Sequence, residues 1–198
     1  MKRLFFVILM MVSSAVLGIS KIERELIYDE GLSFHSYLDS LGNLTGGVGH
    51  LLVGEEAEEY PLGASISPSK ARSWFESDLG KAEAIVAEIA PNAPLEVKEI
   101  LTNMAFNLGR DKLMGFERML SHIKAEDYNN ACKEMQDSLW ATQVPNRAGR
   151  LITRMCSFES SKHSDRSSES EQAKLICRYG IRFWGERGDC KHTSRYHF

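Results

Sequence analysis

The chain has 198 residues, enough for one domain with appendages and a real buried core. With 43% hydrophobic and 26% charged residues it has the make-up of a soluble globular protein, without the charge excess of a disordered one. Its formal charge of −3 becomes −5 without Lys2 and Arg3, and residues 174–198 carry six Lys/Arg against two Asp/Glu. The main body is therefore acidic and unsuited to nucleic acid.

The first eighteen residues read as a targeting segment. Lys2 and Arg3 form a positive start, and Leu4 to Val12 is an unbroken apolar run. Ser13-Ser14-Ala15 and Val16-Leu17-Gly18 then offer small residues to a signal peptidase. The apolar stretch is short for a spanning helix, which wants about 20 residues. Residues 1–18 are expected to be a cleaved signal peptide and the mature protein secreted, with no stable membrane association. A retained N-terminal tether is the alternative, and survival of the segment in the mature protein separates the two.

Ile19, Ile22 and Leu26 recur at helical spacing among charged residues, which predicts an amphipathic helix. Glu30 is the next position on that apolar row, just before Gly31, which suits a helix end. A carboxylate there is costly to bury without a purpose or a partner. Phe34, Tyr37 and Leu38 precede the turn signal Ser40-Leu41-Gly42-Asn43, and Leu44-Thr45 and the glycines Gly46, Gly47 and Gly49 follow. This predicts a small hairpin with its tip near Gly42, and Asp39 facing Thr45 across it.

From Ser67 the pattern is helical almost throughout. Ser67 suits an N-cap and Pro68 the first helical position, and the run to Ile89 predicts a helix of about 22 residues, roughly 33 Å long. Leu95–Leu108 is strongly apolar and reads as the core helix of a second lobe; shorter helices are expected over Leu113–Ile123, Asp127–Leu139 and Asn146–Met155. Ser160 to Gln172 is rich in Ser, Glu and Lys and reads as a linker. Tyr179, Phe183, Trp184, Tyr196 and Phe198 follow among basic residues. The four cysteines Cys132, Cys156, Cys177 and Cys190 allow three pairings. No Cys/His spacing suggests a metal site, and no cofactor is expected.

Breaking a glycosidic bond needs an acid for the leaving oxygen and a second carboxylate for the oxocarbenium-like transition state. The segment Asp29-Glu30-Gly31, Tyr37-Leu38-Asp39 and Asn43-Leu44-Thr45-Gly46-Gly47-Val48-Gly49-His50 supplies both. It resembles the N-terminal motif of the phage-type lysozymes, in which Glu, Asp and Thr follow one another at the spacing of Glu30, Asp39 and Thr45. Asn103-Met104-Ala105-Phe106-Asn107-Leu108-Gly109, Gly115-Phe116, Ser138-Leu139-Trp140 and Pro145-Asn146-Arg147-Ala148-Gly149-Arg150 appear in the family's order. The resemblance runs from about Ser20 to Met155. Cleavage after Gly18 would leave an N-terminus about where family members without a signal begin.

That resemblance implies a lysozyme-like α+β fold, mainly α, with a small hairpin-sheet lobe (31–66), a linking helix (68–89) and a helical lobe (95–157). Together these form a lysozyme domain over 19–157, followed by a tail over 158–198. It implies a monomeric muramidase acting on bacterial peptidoglycan. Glu30 is then the general acid, Asp39 the base or stabiliser, and Thr45 the residue that holds the attacking water. A water between the carboxylates favours inversion. Leu51, Phe106 and Asn107 are candidates for substrate binding. The family pattern places Arg147 against the catalytic Glu. A cation favours the ionised carboxylate, whereas a general acid must stay protonated, so Arg147 is read as positioning Glu30 until bound sugar weakens the pair. Titrating Glu30 with and without Arg147→Ala tests that. His50 and Asp78 resemble a buried structural ion pair more than a catalytic dyad, since such pairs also perturb titration. Trp74 and Trp140 read as packing residues. The run Thr45-Gly46-Gly47-Val48-Gly49 lacks the Lys-Ser/Thr ending and following helix of a phosphate loop.

The stretch from His50 to Ile66 is shorter than the family's and carries Glu55, Glu56, Glu58 and Glu59, so one cleft wall is expected to be reduced. The tail reads as a poorly ordered extension; a small wall-binding module closed by Cys177 and Cys190 is the other reading, and deletion after Ser160 with a wall-binding assay separates them. A lytic transglycosylase would need the acid but not the Asp/Thr water site. A non-catalytic glycan-binding protein would need neither carboxylate.

Overall fold

The computed structural model describes residues 19–158. The targeting segment, the tail after Phe158, and Cys177 and Cys190 lie outside the described residues. Within them the fold is α+β and mainly α, with one three-stranded antiparallel sheet in the order β1-β2-β3. The chain divides into two compact units, one ending at Phe75 and the other beginning at Glu76.

The first unit opens with α1, Lys21–Glu30. Ser20 caps it reciprocally: its hydroxyl accepts from Glu23 N–H, and the Glu23 carboxylate accepts from Ser20 N–H at 2.7 Å. These bonds hold the Glu23 carboxyl below its usual range. Such a box satisfies two orphan donors of the first turn. Ile22 and Leu26 are buried, and the helix stops where Gly31 takes φ +77° and donates to Ile27 C=O. Strands β1 (Ser33–Leu38), β2 (Leu44–Gly47) and β3 (His50–Leu51) form the sheet. The free edge of β1 is covered by the chain at 61–66: His35 bridges Ser65, and Ser36 exchanges backbone and hydroxyl bonds with Pro61, Gly63 and Ala64. Covering an edge removes a template for unwanted strand pairing. A short helix, α2 (Glu55–Glu59), was not foreseen in the acidic stretch. It stands beside a small core of Leu52, Ile66, Ala71 and Trp74.

Helix α3 runs over Pro68–Ile89, the residues expected, with Ser67 Oγ accepting from Lys70 N–H at 3.2 Å. The unit division falls inside it.

The second unit is helical. After α3 come α4 (Leu95–Met114), α5 (Glu117–Lys124), α6 (Tyr128–Gln136), α7 (Leu139–Gln143) and α8 (145–158). Val97, Ile100, Leu101 and Met104 of α4 are fully buried against residues including Leu113, Met135, Leu151 and Met155. Each such side chain contributes about 1.5–3 kcal/mol of burial. Two expected helices are corrected. The 113–123 helix is broken at Gly115, so Leu113 and Met114 finish α4 beyond a kink at Gly109 (φ +74°). The 127–139 helix ends at Gln136, because Ser138 caps a separate turn by accepting from Ala141 N–H. Cys132 of α6 and Cys156 of α8 form a disulfide with Cα atoms 5.4 Å apart. Arg154 of α8 also bonds Glu96 and Glu99 of α4. Phe158 meets the Tyr128 ring edge-on at 5.1 Å.

Candidate active site

Glu30 is the last residue of α1, half-buried. Its side chain lies along Gly49, where an added Cβ would stand 3.1 Å from Glu30 Oε2 and 3.4 Å from its Cβ. Gly49 has φ +69° as well, so glycine is needed there for both backbone and space. Gly49→Ala is therefore expected to cost roughly 1–3 kcal/mol from backbone strain. By displacing the Glu30 carboxylate it should also lower activity more than tenfold. Thermal denaturation and turnover measured on the same preparation check both effects, and unchanged turnover would show that Glu30 tolerates the displacement.

Asp39 follows β1 and closes the hairpin turn. Its Oδ1 accepts from Leu41 N–H (2.9 Å) and Asn43 N–H (2.8 Å), and its Oδ2 accepts from Asn43 Nδ2 (3.0 Å). Those bonds, the Asn43 side chain first and then its backbone, hold the Asp39 carboxyl below its ordinary range. Donors to the charged form favour it. The tip centres on Leu41, not Gly42, and this alters one expectation. Thr45 pairs with Tyr37, and Leu44 with Leu38. Thr45 is thus diagonal to Asp39 instead of directly opposite. The buried Thr45 hydroxyl donates to Asn43 C=O at 3.1 Å, which leaves its lone pairs as acceptors.

Tyr37 was not singled out from the sequence. Burial first, then the negative charges of Glu30 and of Asp39, push its hydroxyl above the usual tyrosine range. Tyr37 is thus within electrostatic reach of both carboxylates. Its place on a strand two residues before Asp39 was the available signal, since i and i+2 share a face.

His50 Nε2 meets Glu56 Oε2 at 3.0 Å, and its ring stacks on Trp74 at 4.7 Å and 14°. Trp74 is buried as expected, and its Nε1–H donates to Glu56 Oε1 at 2.8 Å. Leu51 is 49% exposed on β3.

The remaining candidates belong to the second unit. Asp78 Oδ1 accepts from Lys81 Nζ at 2.8 Å. Phe106 is half-buried and packs against the helical core. Asn107 Oδ1 accepts from Trp140 Nε1–H at 3.0 Å, which fixes the orientation of the amide, and Trp140 is buried. Arg147 is buried on α8. Among the described residues no group of three or more His, Cys, Asp or Glu is placed to hold a metal ion.

A mainly helical α+β chain whose sheet unit carries two carboxylates in different surroundings has the form of a glycosidase. The chain belongs to the phage lysozyme family, which it matches over residues 28–154. It is 30% identical over 158 residues to a probable T4-type lysozyme 2 of Dictyostelium discoideum, covering 68% of this chain and 93% of the relative. A 31% match over 147 residues takes in 62% of this chain and 25% of the pre-baseplate central spike protein Gp5 of Enterobacteria phage T4. A peptidoglycan hydrolase, gp36 of Pseudomonas phage phiKMV, is 27% identical over 67% of this chain and 15% of its own length.

Proposed function

We propose that the protein is a lysozyme that hydrolyses the β-1,4 bond between N-acetylmuramic acid and N-acetylglucosamine in bacterial peptidoglycan. The observation that carries this reading is the unequal setting of two carboxylates on one small unit. Glu30 is packed at a helix end against Gly49, and Asp39 is held as a carboxylate by turn donors. Two carboxyl groups in different environments suit one acid and one base.

In this mechanism Glu30 protonates the leaving oxygen. A water donates one hydrogen to Asp39 and one to Thr45 Oγ1, whose own proton is engaged by Asn43 C=O. Its lone pair is then free to attack the anomeric carbon from the opposite face, with inversion. We propose Leu51, Phe106 and Asn107 as sugar-binding residues, and Arg147, His50 and Asp78 as supporting ones. No cofactor takes part.

We also propose residues 1–18 as a cleaved signal peptide, 19–157 as the catalytic domain and 158–198 as a linker and tail, in a secreted monomer. Among the described residues no helix is long and apolar enough to cross a membrane. The Cys132–Cys156 disulfide suits an oxidising compartment.

Digesting purified peptidoglycan and identifying the product ends by mass spectrometry tests the reaction. Reducing N-acetylmuramic acid ends are expected. Anhydro ends would make the protein a lytic transglycosylase, and intact strands a glycan-binding protein.

Asn43 gives the reading a pH signature. The Asp39 carboxyl is held low, so its carboxylate persists below the ordinary aspartate range and is lost only as pH falls further. Asn43→Ala removes one of these donors, so the acid limb of the kcat profile should move to higher pH. An unmoved limb would take Asp39 out of the base role.

A further inference from the structure

We infer that Glu56 is a positioning residue for Glu30, an inference that rests on the catalytic role proposed for Glu30. Helix α2 is a single short element carrying Glu55, Glu56, Glu58 and Glu59, with no buried residue of its own. Glu and Ala favour helix and carboxylates suit its first turn, but five residues with no buried side chain are too few to hold a helix without tertiary support. The tertiary reason is Glu56. One of its oxygens accepts from Trp74 Nε1–H and the other meets His50 Nε2, while the imidazole and indole stack. His50, then Trp74 and Lys70, hold the Glu56 carboxyl below its usual range. Lys70 Nζ lies over the Trp74 ring at 5.1 Å and over the Tyr60 ring at 5.9 Å, on the same cluster.

The consequence for the site follows along the backbone. His50 is the residue after Gly49, the surface against which Glu30 lies. Strand β3 has only two residues, His50 and Leu51, paired to Gly46 and Thr45. One further bond, Leu52 N–H to Leu44 C=O, extends the ladder, and the Gly47–Gly49 turn that backs the acid is held by buried Val48 and by Gly47 against Ala71. The imidazole gripped between Glu56 and Trp74 adds an anchor at the Gly49 end of that turn. Releasing it lets Gly49 drift relative to Glu30, and displacement of a reacting group by about 1 Å costs up to a hundredfold in rate. Glu56 itself does not touch the reacting atoms in this scheme; it acts through His50 and Gly49.

The test compares the full exported chain with Glu56→Gln, Glu56→Asp and Glu58→Gln. Glu58 is exposed on the same helix and serves as the control. Glutamine keeps an oxygen for Trp74 but presents an amide N–H₂ to His50; aspartate keeps the charge but is one methylene shorter. Glu56→Gln is expected to lower kcat about tenfold to a hundredfold with KM within twofold, Glu56→Asp to fall between it and wild type, and Glu58→Gln to match wild type. The three-bond carbon couplings that report the Glu30 side-chain rotamer should pass from one conformer to an average in Glu56→Gln. If those couplings keep their wild-type values in Glu56→Gln, or in Glu56→Asp should the first variant fail to fold, the positioning role is overturned. A wild-type chain that leaves peptidoglycan intact would instead sink the lysozyme reading, and the couplings would still decide the role of Glu56.

Discussion

Glu30→Gln should lower kcat on peptidoglycan by about 10³-fold while leaving the melting temperature within about 2 °C of wild type. Glutamine has the shape of glutamate, so it preserves the contacts that the Glu30 stem makes against Gly49, but its amide cannot deliver a proton to a leaving oxygen. General acid catalysis contributes about 10²–10⁴ in rate, and a sugar oxygen expelled without protonation is a poor leaving group. The loss should fall on kcat more than on KM, because the proton moves only in the transition state. A Glu30→Gln enzyme that kept more than a tenth of wild-type turnover would mean that another group supplies the proton.

Replacing both Cys132 and Cys156 by alanine should lower the melting temperature by on the order of 10 °C with little change in turnover at 25 °C. The bond links α6 to α8 across a sequence separation of 24. A cross-link closing a loop of that size stabilises by about 3 kcal/mol in the chain-entropy account, and for a chain of this length each kcal/mol moves the midpoint by about 2–4 °C. Cys132 is fully buried among Ala131, Met135 and Tyr128, so some lost packing adds to the effect. Dithiothreitol on the wild type should reproduce most of the shift. A thiol titration that found all four cysteines free in the purified protein would remove the disulfide, and with it the support it lends to the proposed export.

Much of this could be read from neighbouring residues alone. Ser20 with Glu23, and Ser67 with Pro68, are start signals whose chemistry is complete within one turn, and α1 and α3 begin at them. The apolar row through Ile22 and Leu26 was enough to place Glu30 at the inward end of a helix that Gly31 stops. The spacing of Glu30, Asp39 and Thr45 was enough to indicate the family. The hairpin was legible as an element but its register was not. Asp39 closes the turn with its own carboxylate, which centres the tip on Leu41 and pairs Thr45 with Tyr37.

The rest depended on residues far apart in the chain. The glycines look alike in sequence, yet Gly46 would drive a Cβ to 2.5 Å from Ile66 Cδ1, Gly47 lies against Ala71, and Gly49 against Glu30. Nothing in the acidic run marks Glu56 out from Glu55, Glu58 and Glu59, yet Glu56 joins His50 to Trp74, 18 residues further along the chain. Three cysteine pairings were open, and the approach of α6 to α8 brought Cys132 to Cys156. Caps, helical periodicity and motif spacing are local, so one chain carries them in full. A packing partner or a disulfide depends on which segments the fold brings within a few ångströms, and a single sequence does not encode that in any short stretch.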